Sequence, residues 1–195
     1  MMDETLRAEL VAMRAEDLRV RQELVDSGEL GGHYVPRMEK VHRRNALRLA
    51  EIISTRGWPD QDLVGADGAE AAWLIAQHAM GHPDLQQQTL RLLKDCAERG
   101  GVPKWHYAYL EDRVAMLEHR AQRFGTQWMD DPRDGCVRPW TLAEPERVDE
   151  LRASVGLKPL HTIPEAGPDL PAEEQQAILE NRRWWEEWLA SRGWK

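Results

Sequence analysis

Two stretches of this chain set polar side chains where helical periodicity calls for apolar ones. One is Ala71-Ala72-Trp73-Leu74-Ile75-Ala76-Gln77-His78; the other runs from Leu110-Glu111-Asp112-Arg113-Val114 to Gln122-Arg123-Phe124-Gly125-Thr126-Gln127. Buried polar groups must find partners or cost stability, so each stretch is either an internal hydrogen-bond network or a ligand site. His78 follows Leu74 and Ile75 by one helical turn, which turns its ring toward apolar surface. Burial lowers a histidine pKa and a nearby carboxylate raises it, the tuning that a general acid/base needs. The other reading of His78 is a neutral core histidine bonded to the backbone.

In the second stretch, Asp112 and Arg113 diverge by about 100° around a helix, so one of the two faces deepest. Asp112 would orient His78 or share its proton, and Arg113 would clamp an anionic group bidentately. An Asp–Arg network tying helices together is the alternative. Gln77, Gln122, Thr126 and Gln127 supply neutral donors and acceptors for a polar substrate, with Trp73 as an apolar wall. A helix C-cap with satisfied turn side chains explains Gln122 to Gln127 equally well.

No metal or cofactor is expected. His78 and His82 have the spacing of a helical metal pair, but Gly81 and Pro83 interrupt the helix. A metal-dependent enzyme through these two is therefore the weaker alternative, with His106 and His119 as further ligands only by count. The chain has no glycine-rich phosphate loop, dinucleotide fingerprint, nucleophile elbow or zinc-protease helix.

These residues must be positioned by helices. Leu6, Leu10, Met13, Val20 and Leu24 mark an amphipathic helix over 4–26. A second, over 36–55, carries Met38, Val41, Leu47, Leu49, Ile52 and Ile53, with Gly57-Trp58-Pro59 as its exit. Residues 63–68 predict a loop in which Asp67 and Glu70 form a capping box. The helix over 68–80 is apolar nearly all round and therefore central. Further helices follow after Pro83 and Pro103, then a small β-hairpin or ordered loop beyond Gly125 and a short helix over 144–154. The fold class is mainly α: a helical core domain over 1–162, a proline-rich linker over 163–171, and a C-terminal helix over 172–195. That helix holds Trp184, Trp185, Trp188 and Trp194, and packs on the core or on a partner.

The 195 residues suffice for one well-filled domain plus an appendage. A formal net charge of −8 with no Lys/Arg run argues against nucleic-acid binding. No apolar run approaches the roughly 18 residues that span a bilayer, and the N-terminus does not read as a secretion signal. Two widely spaced cysteines, Cys96 and Cys136, fit a reducing, cytoplasmic setting.

The ordered motifs Gly57-Trp58-Pro59, Leu63-Val64-Gly65, Ala72 to Ala79, Asp112 to Val114, Gln122 to Gln127, Asp134-Gly135 and Gly156 to Leu160 resemble an uncharacterised bacterial domain-of-unknown-function family over residues 10–162. The resemblance implies no established reaction. Similar sequences carry acidic residues after Gln-His-Ala, where this chain has Met80 and His82. They carry Tyr before Gly-Thr-Gln, where it has Phe124.

The sequence therefore predicts a small cytoplasmic enzyme doing acid/base chemistry on a polar small molecule: hydrolysis, elimination, isomerisation or cyclisation, without a redox cofactor. Its alternative is a non-catalytic ligand-binding or interaction module that uses the tryptophan-rich helix, which could also join two copies as a homodimer.

Overall fold

The computed structural model describes residues 2–160 and 163–194, so the expected domain edge at 162 and Lys195 lie outside the described residues. The chain is mainly α-helical. Helices α1 (Glu4–Asp26), α2 (Pro36–Arg56), α3 (Gln61–His78), α4 (Pro83–Glu98) and α5 (Lys104–Leu117) come first. Strands β1 (Trp128–Asp130) and β2 (Val137–Pro139) follow, then a 3-10 turn (Pro145–Arg147), α6 (Val148–Ser154) and α7 (Ala172–Ser191). The chain divides within α5 into two compact units, residues 1–110 and 111–195.

In the first unit α3 packs on α1, α2 and α4. Its alanines at 69, 71, 72 and 76 are fully buried, which permits this close approach. A Cβ on Gly68 would stand 2.8 Å from the Val64 Cβ. The core is filled by Leu10, Leu24, Leu49, Val64, Ile75 and Leu93.

The start of α3 differs from expectation. Asp60 caps it by accepting the Leu63 N–H, and only Gly65 breaks the helix (φ 71°, ψ 171°). Residues 63–68 are thus a kinked helix rather than a loop. Asp67 and Glu70 form no capping box, because arginines of α1 claim them: Arg7 holds Asp67 through two 2.8 Å bonds, and Arg14 holds Glu70 at 3.1 Å. On α2, Leu47 is half exposed, while His42 and Asn45 occupy the buried face with Leu49 and Ile52.

The second unit contains the expected hairpin, antiparallel, with Met129 opposite Arg138. Asp134 grips Arg138 through two bonds of 2.7 and 2.6 Å across its turn. Gly167 donates its N–H to Asp134 and Leu170 donates to the Arg133 carbonyl, so the backbone of the proline-rich stretch is laced to the hairpin turn. On α7, Arg182 donates to the Asp130 carbonyl, and Trp188 and Leu189 are buried; the helix ends at Ser191, short of the expected 195, and Trp194 is buried beyond it. Among the described residues no helix is long and apolar enough to cross a membrane.

Candidate functional site

The buried stripe of α1 runs Leu6, Leu10, Asp17, Val20, Leu24. Asp17 stands seven residues from both Leu10 and Leu24, on the core face, and has no exposed surface. A carboxylate there needs partners, and two imidazoles provide them. His78, the last residue of α3, has its Nδ1 2.9 Å from Oδ2 and 3.1 Å from Oδ1 of Asp17. His42, on the buried face of α2, sets its Nε2 3.3 Å from the same Oδ2. The hydroxyl of Tyr34 is hydrogen-bonded to His42 Nδ1. The two imidazoles lie 4.6 Å apart between centroids, tilted by 39°.

Burial alone would raise the Asp17 pKa. The hydrogen bonds and charge of His42 and His78 outweigh it and hold the carboxyl well below the ordinary range. A carboxylate can only accept, so the bond to His78 requires the proton on Nδ1 and leaves Nε2 as the basic atom of that ring. The His78 side chain retains 21% of its accessible surface, whereas that of Asp17 retains 1%. The centre therefore combines a sequestered carboxylate with a partly accessible imidazole.

Gln77 is buried on α3, and its carbonyl accepts from the fully buried Gln86 of α4, which also caps the Ala76 carbonyl. Trp73 donates its indole N–H to the His106 carbonyl and stacks on the His106 ring at 4.9 Å. Trp105 and Tyr109 meet Trp73 edge-on. The α3 helix ends at His78 and His82 caps α4, so these two are not helical neighbours one turn apart.

Asp112, Arg113, Gln122, Thr126 and Gln127 belong to the second unit. Asp112 is fully buried and accepts the N–H groups of Arg123, Phe124 and Thr126 and the hydroxyl of Thr126, all at 2.8–3.1 Å. Burial pushes its pKa up, and those donors oppose the shift. Gln122, also fully buried, accepts from the Gln127 N–H and donates to the carbonyls of Gln127 and Trp140. Gln127 donates its amide N–H to Thr126 Oγ1. Arg113 is half-buried on α5.

Arg152 completes this arrangement from the opposite electrostatic side. It is buried, and donates to the Phe124 carbonyl at 2.6 Å and to the Lys158 carbonyl at 2.6 Å. Asp112 thus takes the N–H groups of loop 123–126 while Arg152 takes its carbonyls. Gly125 lies between at φ +65°, where an added Cβ would come 2.9 Å from Leu160 Cδ1 and 3.3 Å from Leu142 Cδ2. Gly125→Ala is expected to lose roughly 1–3 kcal/mol of stability in urea unfolding, from left-handed strain plus the clash. An unchanged midpoint would show that the loop yields freely there.

Asp17 and His42 escape a reading that looks for polar residues inside apolar runs, since Asp17 follows Glu16 and His42 precedes Arg43-Arg44 in ordinary charged stretches; Tyr34 lies ahead of α2. Their signal is a gap: the α1 stripe steps from Met13 to Val20 with no apolar residue at 17, and a carboxylate fills the vacant core position.

The model of a family of unknown function, DUF6624, matches residues 4–165, and the chain belongs to that family. Neither a curated protein nor a solved structure matches it.

Proposed function

We propose that this member of the DUF6624 family is an acid/base enzyme acting on a polar small molecule, with Asp17 and His78 as its proton-transfer pair. The observation that carries the reading is the fully buried Asp17 carboxylate bonded to the partly accessible His78 ring. In that pair Asp17 fixes the tautomer and stabilises the imidazolium that forms when Nε2 takes a proton, the division of labour of carboxylate–imidazole catalysts. His42 and Tyr34 extend the chain of polar groups behind the carboxylate and hold it in place. Gln77, next to His78, is the first choice for a neutral contact to substrate. Asp112, Gln122 and Thr126 act instead as the frame of their own loop, since the bonds described above account for their polar atoms. Hydrolysis, elimination, isomerisation and cyclisation all fit such a pair without a redox cofactor.

The test is a thermal-shift screen of polar metabolites on wild type and His78→Gln, followed by turnover of each stabilising compound. A compound consumed by the wild type, with kcat lower by roughly 10²–10⁴-fold in His78→Gln, supports the proposal. Compounds that stabilise both proteins equally, with turnover untouched by the substitution, would sink it.

A further inference from the structure

We infer that Asp17, His42 and His78 form a binding site for a divalent first-row transition metal ion. One oxygen of Asp17, Nε2 of His42 and Nδ1 of His78 all lie within 4.8 Å of one another. The shared Oδ2 is 2.9 Å from the His78 nitrogen and 3.3 Å from the His42 nitrogen. Nitrogen and oxygen ligands about 2.0–2.2 Å from an ion sit about 3.0–3.5 Å from each other, so the His42 edge already has the required length and the His78 edge falls just short of it. The third edge, between the two imidazoles, is no longer than 4.8 Å.

A second observation points the same way. His42 is 8% exposed, and its Nε2 makes no hydrogen bond of good geometry although it stands 3.3 Å from Asp17 Oδ2. Buried ring nitrogens are ordinarily satisfied, and an ion between that nitrogen and Asp17 would satisfy it. The Tyr34 hydroxyl at the opposite nitrogen supplies what metal-bound imidazoles require, an outer partner that fixes ring orientation and tautomer. With Nε2 ligated, His42 Nδ1 carries the proton and donates it to the tyrosine oxygen.

Two imidazoles and one carboxylate are the donor set of zinc and of non-haem iron or manganese rather than of calcium or magnesium, which take all-oxygen shells. Three protein ligands leave positions for water and substrate, the open arrangement of a catalytic rather than a structural ion. The three ligands come from α1, α2 and α3, so the sequence distances between them exceed any local metal motif.

The inference deepens the acid/base reading and rests on the same residues, yet the two assign His78 differently. Metal-free, its Nδ1–H faces Asp17 and Nε2 is the base. With the ion bound, Nδ1 is a ligand, the proton moves to Nε2, and metal-bound water becomes the base.

The experiment is calorimetric titration of Zn²⁺ into full-length protein stripped with chelator. It is run in parallel on His42→Gln and His82→Gln, alongside long-range ¹H–¹⁵N NMR of wild-type histidines. The expected result is one Zn²⁺ per chain, with affinity weaker by roughly 100-fold or more in His42→Gln and unchanged in His82→Gln. In the wild type, the His42 Nε2 and His78 Nδ1 resonances move together. No stoichiometric binding, equal affinity in His42→Gln, or shifts confined to other histidines would each overturn the site. The NMR readout needs no variant, so a poorly folding His42→Gln leaves the question decided. Binding without turnover of any compound, in metal-loaded or stripped protein, retires the enzyme reading and keeps the metal site. Turnover that survives chelator and never responds to Zn²⁺, with no stoichiometric binding, does the reverse.

Discussion

Asp112→Ala is expected to lower the unfolding free energy by roughly 3–5 kcal/mol, and the midpoint of thermal unfolding by about 10 °C. The reason lies in what the substitution leaves behind. Three backbone N–H groups and the Thr126 hydroxyl converge on one carboxylate, and the Phe124 N–H among them is fully enclosed. Burial raises the pKa of Asp112 against the pull of its hydrogen bonds, so the charge itself is not what the substitution removes most dearly. Taking the carboxylate away nevertheless orphans four donors, the Phe124 N–H among them out of reach of water and the Thr126 groups half-buried, and a buried orphan costs about 1–3 kcal/mol. Asp112→Asn is expected to fall nearly as far, since its amide nitrogen would point a donor at donors. Urea unfolding followed by tryptophan fluorescence measures both. A loss below about 1 kcal/mol in Asp112→Ala would mean that Arg152 and Gln122 hold the loop unaided.

Asp112, Gln122 and Thr126 stand out because their polarity interrupts an apolar pattern, and the pattern does report burial faithfully: Asp112 and Gln122 have no exposed surface. Periodicity does not reveal where their hydrogen bonds go. In this chain they go to loop backbone five to eighteen residues away, which is local architecture. The helices themselves are legible because each is bounded by a residue with a physical reason to stop it. Gly57 ends α2 at φ 76°, and Pro36 and Pro83 open α2 and α4 at the first turn. The start of α3 is misread because Gly65 looks like a loop residue while the chain resumes its helix immediately after it.

The Asp17 centre illustrates the opposite failure. Its three polar residues come from three helices, Asp17 from α1, His42 from α2 and His78 from the end of α3. No spacing rule reaches from 17 to 42 to 78, since the distances between them depend on how α1, α2 and α3 pack. What the sequence does hold is the demand for a partner: a carboxylate at a core position of a long helix requires a buried donor elsewhere. Read that way, Asp17 and the histidines of the neighbouring helices were findable as a set, though the choice among seven histidines needs the fold.

His106 gives the second large effect, and its sign is the reverse of what a paired histidine would show. The residue is 1% exposed and sandwiched against Trp73, with Trp105 edge-on. Burial lowers its pKa from 6.5 to about 4, because the charged ring would lose its hydration with no carboxylate in return. Above about pH 6.5 the ring is neutral in folded and unfolded chains alike, and pH has no leverage through it. Below that, the unfolded chain takes up a proton that the folded one refuses until about pH 4, so stability falls as pH falls through this window. The gap amounts to roughly 3 kcal/mol lost between pH 7 and pH 4. His106→Phe keeps a flat ring against Trp73 and removes the titration, so its unfolding free energy should decline less steeply with acid than that of the wild type. Urea unfolding at half-unit intervals from pH 7 to 4.5 compares the two slopes. If they coincide, His106 accepts a proton in the folded state at ordinary pH. The aromatic cluster would then have to supply what burial withholds, through the π faces of Trp73 and Trp105.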